Sequence, residues 1–171
     1  VKDGNTIKVY YVRNQSDWAN VTYEVVNGTF TDSNPTTLTG VIRIGADYSD
    51  FESVVEAGKP ATAPNTGYEL DQDWAIVEGV NDAGVITKDI IVRISYKPKD
   101  TTYVVEYYYD GVIDNSLTEG PLNGKVDEAI SQYTNNLKAG YKLVSATPIT
   151  LVEDAAQNVM KVYYNTLEDL Y

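Results

Sequence analysis

Pairs of acidic side chains are the residues in this chain whose type and spacing come closest to doing chemistry. The pairs are Asp47 with Asp50, Asp71 with Asp73, and Glu153 with Asp154. Two carboxylates that flank a cleft can hydrolyse a glycoside when one of them has a raised pKa, and several carboxylate oxygens on one loop can bind calcium. None of these pairs has the Asp-x-Asp-x-Asp-Gly spacing of a dedicated calcium loop. We therefore interpret them as solvated acidic surface.

The chain contains neither histidine nor cysteine. It therefore lacks the usual general base, the commonest zinc ligand and the Ser-His-Asp arrangement. Thiolate metal sites and disulfides are excluded for the same reason. We predict that the chain is not an enzyme and that it uses no cofactor and no metal ion.

Aromatic side chains are the remaining candidates for ligand contact, with 15 Tyr against 2 Phe and 2 Trp. A tyrosine suits both a half-buried sheet and a binding surface, because its ring buries apolar area while its hydroxyl reaches water. Trp18 lies in a polar stretch, and Tyr107 and Tyr109 flank Tyr108 in a triplet that could stack on a carbohydrate. Strand alternation sends Tyr108 to the opposite face from its neighbours, so at least one of the three belongs to the core. The predicted ligand contacts are Trp18, Tyr107 and Tyr109.

The charge balance limits the partners. The formal net charge is −12 at pH 7. This charge argues against nucleic acid as a partner, because phosphate neutralisation needs clustered Lys and Arg. It also disfavours binding to an anionic membrane surface. The longest apolar stretches have the length of strands, so we predict no membrane insertion in this segment. We expect a monomer that is a piece of a longer protein, with its targeting signals elsewhere.

A string near the start of the chain returns near its end. Asn5-Thr6-Ile7-Lys8-Val9-Tyr10-Tyr11 matches Asn158-Val159-Met160-Lys161-Val162-Tyr163-Tyr164, and a weaker echo runs from Ile90 to Lys97. Recurrent strand-ending strings indicate repeated modules. The chain is therefore interpreted as an excerpt from an array of small β-rich repeats.

Hydrophobic spacing predicts the elements that position these side chains. Alternation predicts strands at Ile7–Val12, Val21–Val26 and Tyr103–Tyr109, among others. Helical spacing of Phe51, Val54 and Val55 predicts a first helix, capped by Ser49 or Asp50 and ended by Gly58 and Pro60. The stripe of Val126, Ile130, Tyr133 and Leu137 predicts a second helix, with acidic residues in its first turn.

Both halves of the chain follow one order of elements, and both contain a Gly-Tyr-x-Leu string, at residues 67–70 and 140–143. This order predicts an α+β fold of two tandem β-grasp (ubiquitin-like) modules, each a mixed sheet of four or five strands with one helix packed across it. A polar linker around Pro98 divides residues 1–98 from 99–171. Residues 1–16 can alternatively supply the last strand of a preceding repeat.

Short strings in both halves of the chain resemble known families of repeats. The strings TYVVEYYYDGVIDN, GKVDEAI and NVMKVYY of the second half resemble the mucin-binding-protein (MucBP-like) repeats of Gram-positive surface proteins. The string VVEAGKPATAPNTGYELDQDW of the first half resembles the internalin-type B-repeat, a β-grasp unit. The resemblance covers residues 100–165 and, more loosely, 20–98. It carries over no catalytic or binding residue.

The resemblance implies an extracellular, cell-wall-attached or secreted segment of a Gram-positive bacterial surface protein. Its role would be adhesion, including mucin binding, or spacing that presents a surface to the host. The expected partners are neighbouring repeats of the same chain and a host glycoprotein or glycan. The alternative is an immunoglobulin-like linker module of a secreted polysaccharide-degrading enzyme, which predicts no helix.

Overall fold

The structure is a computed structural model, and it describes residues 8–12 and 14–167. Strands account for about 55% of the described residues and helices for about 10%. The described residues contain one α-helix, α1 (Glu52–Gly58). The strands are β1 (Trp18–Val26), β2 (Gly28–Phe30), β3 (Thr37–Arg43), β4 (Thr62–Pro64), β5 (Tyr68–Val80), β6 (Ile86–Pro98), β7 (Asp100–Tyr109), β8 (Val112–Ile113), β9 (Glu119–Lys125), β10 (Ala129–Ile130), β11 (Tyr141–Ala146), β12 (Ile149–Thr150) and β13 (Val159–Thr166). Short 3-10 turns lie at Gln15–Asp17, Tyr48–Asp50 and Ala155–Gln157.

The chain divides into two compact units. Unit 1 comprises the residues up to Ala63 together with Gln72–Ser95, and unit 2 comprises Pro64–Asp71 together with the residues from Tyr96 onward. The division falls within β5 and β6, so each unit includes part of both strands. The assignment of 1–98 and 99–171 to two repeats stays a prediction.

Unit 1 is built on a four-stranded sheet in the order β3-β1-β6-β5. β1 pairs in parallel with β6 and antiparallel with β3. Side chains alternate along β1, and Ala19, Val21 and Tyr23 are buried in the core. That core also contains Val55 of α1 and Ile90 of β6, so the helix covers the sheet face on which these strands point their apolar side chains.

Unit 2 has a second sheet in the order β11-β13-β7-β8, and β9 also pairs with β7. β7 pairs in parallel with β13, and β13 pairs antiparallel with β11. Val105, Tyr107, Met160, Val162 and Tyr164 form the centre of its core and are fully buried. Leu151 and Ile130 pack against this face of the sheet.

The two units share one strand plan. In each unit the first strand, here called the opening strand (β1 or β7), pairs in parallel with the last strand, the closing strand (β6 or β13). The register also agrees, because Glu24 lies opposite Arg93 in unit 1 and Glu106 lies opposite Lys161 in unit 2. In unit 1 this pair is an ion pair with 2.6 Å between Arg93 Nη2 and Glu24 Oε2. An acidic residue on the opening strand therefore faces a basic residue on the closing strand in both units.

The predicted fold class is wrong. The chain is mostly β, and in the described residues only unit 1 contains an α-helix, so two modules with one helix each are not what the structure contains. The first predicted helix is confirmed as α1, although Phe51 occupies its N-cap and no side chain caps it. The stripe from Val126 to Leu137 forms no helix. Ala129 and Ile130 lie in the short strand β10, and residues 131–138 are irregular.

Local geometry at the start of this stripe stops a helix from forming. Asp127 has a φ of +67°, which lies in the left-handed region that L side chains rarely adopt and that ends a right-handed helix. The backbone N–H of Asp127 donates to the carbonyl of Leu151, and the N–H of Leu151 donates to the carbonyl of Glu128. These bonds draw the segment into the β10–β12 pair. Strand pairing with residues that are distant in the sequence therefore overrides the local helical preference of this stripe.

Tyrosine hydroxyls from the sheet hold the irregular segment 131–138 in place. The bonds run from the Thr134 N–H to the Tyr107 hydroxyl (3.0 Å), from the Asn136 N–H to the Tyr164 hydroxyl (3.2 Å), and from the Tyr109 hydroxyl to the Asn136 carbonyl. In unit 1 the buried Tyr23 hydroxyl likewise donates to the carbonyl of Val55 in α1 at 2.7 Å. Each ring thus fills the core while its hydroxyl bonds to a backbone group of the segment that lies against the sheet.

The strand predicted at Ile7–Val12 is not formed. Ile7 lies outside the described residues, and residues 8–12 are exposed and belong to no strand. The immunoglobulin-like alternative predicts no helix, whereas unit 1 contains α1. The sheets of that sandwich are antiparallel, whereas the central strand pair of each unit here is parallel. As a function, the alternative stays a prediction. Within the described residues, no helix is both long enough and apolar enough to cross a membrane.

Candidate functional site

Two of the three predicted ligand contacts lie in the core of unit 2. Tyr107 is fully buried and Tyr109 is 8% exposed. The Tyr109 ring stacks on Tyr164 with 5.1 Å between ring centroids, and the Lys138 ammonium lies 3.8 Å above the ring. Neither ring therefore offers a free face to a ligand in this structure.

The Tyr107 hydroxyl is committed to the chain itself. It donates to Glu119 Oε1 at 2.6 Å and accepts the Thr134 N–H at 3.0 Å. Burial raises the pKa of Tyr107 above its ordinary value, and the neighbouring Glu119 carboxylate raises it further. The phenol consequently stays neutral and structural over the physiological pH range.

Tyr108 is the member of the triplet that reaches the other face of the sheet. It stacks on Tyr163 of β13 with 4.9 Å between ring centroids and 25° between planes. Its hydroxyl donates to Glu106 Oε2 at 2.6 Å, and this bond raises the pKa of Tyr108 to about 12. The two rings are half-buried, so this face presents an aromatic pair that is only partly open to solvent.

Trp18, the third predicted contact, lines a cavity of about 330 Å³ in unit 1. The other lining residues are Gln15, Asn20, Thr39 and Gly40. We call this cavity the Trp18 pocket. Its volume falls at the lower end of the range typical of small-molecule sites.

A β-bulge between β1 and β3 shapes the pocket. The register of these strands shifts between Ala19 and Val21, where Asn20 of β1 lies opposite residues 39–41 of β3, so the extra residues belong to β3. Asn20 Oδ1 accepts the N–H of Gly40 at 2.9 Å, and the Asn20 N–H donates to Asp89 Oδ1 at 2.9 Å. These bonds satisfy the polar groups of the bulge and fix the two strands on either side of the pocket.

The position of Trp18 follows from the turn before it and from the helix region behind it. Asn14 Oδ1 accepts the N–H of Ser16 and caps the turn Gln15–Asp17, which ends where β1 begins. The Trp18 ring packs edge-on against Phe51 with 6.5 Å between centroids and an interplanar angle of 90°. The indole is half-buried and is therefore supported by the core while it lines the pocket.

The composition of the pocket suits a neutral, hydroxyl-rich ligand. Its five lining residues include no ionisable side chain. They supply one indole ring, one hydroxyl and two side-chain amides, of which the amide of Asn20 is already bonded to Gly40 and Asp89. An aromatic surface with a few polar groups is the mixture that fixes small ligands. A sugar ring combines apolar C–H faces with hydroxyl edges and matches both parts. The described lining residues therefore suit binding of such a ring.

Trp18 is the only pocket residue that sequence reasoning selected. Gln15, Asn20 and Thr39 have no distinctive spacing, since polar residues next to strands are common. Gly40 did carry a signal, because an isolated glycine inside a strand pattern suggests a bulge. That signal could have placed the irregularity, although not the cavity beside it.

The acidic pairs show no grouping around a metal. Among residues 8–12 and 14–167, no cluster of three or more acidic side chains could hold a metal ion. A second cavity, of about 480 Å³, is lined in part by Asp100, Lys125 and Glu128 of unit 2. Lys125 Nζ lies 2.7 Å from Asp100 Oδ1, and Glu128 Oε2 accepts the Lys125 N–H. These charges are satisfied by one another on an open surface.

Comparison with known proteins adds no assignment. The chain matches no protein-family model. No curated protein is similar enough to it to count as a match. The resemblance to MucBP-like and internalin-type repeats therefore stays a prediction.

Proposed function

We propose that the chain is an extracellular repeat segment of a bacterial surface protein, and that unit 1 binds a neutral glycan in the Trp18 pocket. The observation that carries this proposal is the pocket itself, an indole flanked by amide and hydroxyl groups on a rigid bulge. Positioning on paired strands favours binding, because little conformational entropy is lost when the ligand arrives.

A second candidate function, that of a spacer, is favoured by the shared strand plan of the two units. Repeated units that each contact only their neighbours extend a chain in proportion to their number. The excess of acidic residues would keep such an array soluble on a crowded cell surface. The two functions are compatible, and binding is the one that a single experiment can test.

The test is a glycan and mucin array probed with the soluble 171-residue chain. Trp18→Ala is expected to weaken binding at least about tenfold, equal to about 1.4 kcal/mol, because aromatic anchors dominate such sites. Gln15→Ala is the companion variant, since Gln15 is exposed and its loss should lower affinity without affecting the fold.

Tyr108→Ala serves as the matched control. It removes an aromatic ring from the outer face of unit 2 and leaves the Trp18 pocket intact. Binding that survives Tyr108→Ala but not Trp18→Ala or Gln15→Ala would support the pocket. An array on which the parent chain gives no signal would contradict glycan binding and leave the spacer role.

A further inference from the structure

Residues 8–12 form an exposed apolar stretch that belongs to no strand in the described structure. Val9, Tyr10, Tyr11 and Val12 are 66%, 81%, 92% and 92% exposed. Single exposed apolar residues are ordinary, but a contiguous run of this kind marks an interaction site. The stretch therefore calls for a partner that would cover it.

The sequence of this stretch copies the closing strand of unit 2. Residues 5–11 differ from residues 158–164 at only two of the seven positions. In the match, Lys8 corresponds to Lys161, Val9 to Val162, Tyr10 to Tyr163 and Tyr11 to Tyr164. Val162 and Tyr164 are fully buried, whereas Lys161 is exposed. Val9 and Tyr11, the counterparts of the buried Val162 and Tyr164, are thus exposed at the start of the chain.

The order of strands along the chain independently indicates that residues 5–11 are a closing sequence. Each opening strand pairs in parallel with the closing strand that follows it, β1 with β6 and β7 with β13. A closing strand also leads into the next opening strand, since only Lys99 separates β6 from β7. Residues 5–11 also precede an opening strand, β1, with residues 12–17 lying between. They are a third closing sequence, and the described residues contain only two opening strands.

We propose that residues 8–11 belong to the closing strand of another unit with the same strand plan. They complete its sheet by pairing in parallel with its opening strand, with Val9 and Tyr11 facing its core. The partner is a sheet of the unit 2 kind that lacks a closing strand of its own. Strand addition of this type supplies main-chain hydrogen bonds for affinity and alternate side chains for specificity. The proposal is independent of glycan binding.

The register of the two complete units specifies the chemistry of the partner. Arg93 and Lys161 each lie opposite a glutamate of the opening strand. Lys8 occupies the corresponding place in the copied sequence, so the partner's opening strand carries a carboxylate opposite Lys8. Unit 2 meets this requirement with Glu106.

A tandem chain tests the proposal. Residues 1–153 are placed directly before the complete sequence 1–171, so that Asn5 of the second copy falls where Asn158 stood in the first. Because the natural chain contains no cysteine, Val9→Cys in the second copy gives a single labelling site, and Lys8→Cys is the matched control. Both variants are also made in the 171-residue chain, and thiol labelling rates are measured.

In the 171-residue chain both cysteines are expected to react at similar rates, since Lys8 and Val9 are both exposed. In the tandem chain Val9→Cys should react at least about tenfold more slowly, while Lys8→Cys keeps its rate. Equal rates for the two cysteines in the tandem chain, whether both fast or both slow, would overturn the proposal.

A second measurement avoids the added thiol. In the 171-residue chain, Val159→Thr with Met160→Ile converts β13 into the copied sequence, and the melting temperature should stay within about 5 °C of the parent. The control, Val159→Ile with Met160→Thr, introduces the same two residue types in the opposite order. It therefore places threonine at the fully buried position 160. It should lower the melting temperature by about 10 °C or more. Similar losses in both variants would show that the copied sequence cannot act as a closing strand.

Discussion

Replacing Asn158 with alanine is expected to lower the free energy of unfolding of unit 2 by about 3 kcal/mol. Asn158 is a buried polar residue, only 1% exposed, immediately before β13. Its Oδ1 accepts the N–H of Val152 at 2.8 Å, and its Nδ2 lies within bonding distance of the carbonyls of Val152 and Thr102 and of the Thr101 hydroxyl. Truncation would leave these buried groups without partners, which costs more than the lost bonds alone.

Urea unfolding followed by circular dichroism measures this loss, and Asn165→Ala is the control. Asn165 lies near the end of β13 and is exposed, so its replacement should change stability by less than about 0.5 kcal/mol. Tryptophan fluorescence provides an internal reference, because Trp18 and Trp74 both belong to unit 1. Equal effects of the two substitutions would contradict the role assigned to Asn158.

Raising the pH from about 10 to about 12 is expected to unfold the chain, because its core depends on neutral tyrosines. Burial, with smaller effects from Tyr48 and Glu56, raises the pKa of Tyr23 from 10.0 to about 12. Burial also raises the pKa values of Tyr107 and Tyr164. A tyrosine in the unfolded chain ionises near pH 10, whereas these buried tyrosines ionise at a higher pH. Their contribution to the free energy of unfolding is therefore fully present below about pH 10 and is lost as the pH rises.

For Tyr23 alone, a shift of this size corresponds to roughly 2.5 kcal/mol. The measurement is the urea midpoint of unit 1, read from tryptophan fluorescence, at a series of pH values up to about 12. In Tyr23→Phe the midpoint should be lower at neutral pH, because the carbonyl of Val55 loses its partner. It should also fall less steeply above about pH 10. If the urea midpoint falls equally in both proteins above about pH 10, Tyr23 does not cause the alkaline loss of stability.

Strand pattern and turns were predictable from local sequence. Alternation places β1 and β7 correctly, since one buried face leaves a clear period of two. The pairs Asn27-Gly28 and Asp110-Gly111 are typical turn sequences, and the backbone turns there with a φ of +57° at Asn27 and +48° at Asp110. Each of these features depends on residues that are close in the chain.

The second helix could not be ruled out from the sequence. The stripe from Val126 to Leu137 has helical spacing, but its backbone partners are the hydroxyls of Tyr107, Tyr109 and Tyr164 and the carbonyl of Leu151, which are distant in sequence. Local spacing holds no information about such partners. The same limit applies to the Trp18 pocket, because Thr39 reaches it from another strand.

The claim on which the account depends is that both units are built around a parallel pair of opening and closing strands. Amide hydrogen exchange of the 171-residue chain, resolved residue by residue by NMR, tests it most directly. The account predicts that the slowest amides of both units lie in β1, β6, β7 and β13, that residues 8–12 exchange freely, and that 131–138 show no helical pattern of protection. Continuous helical protection across 126–137, or slow exchange confined to one unit, would contradict it.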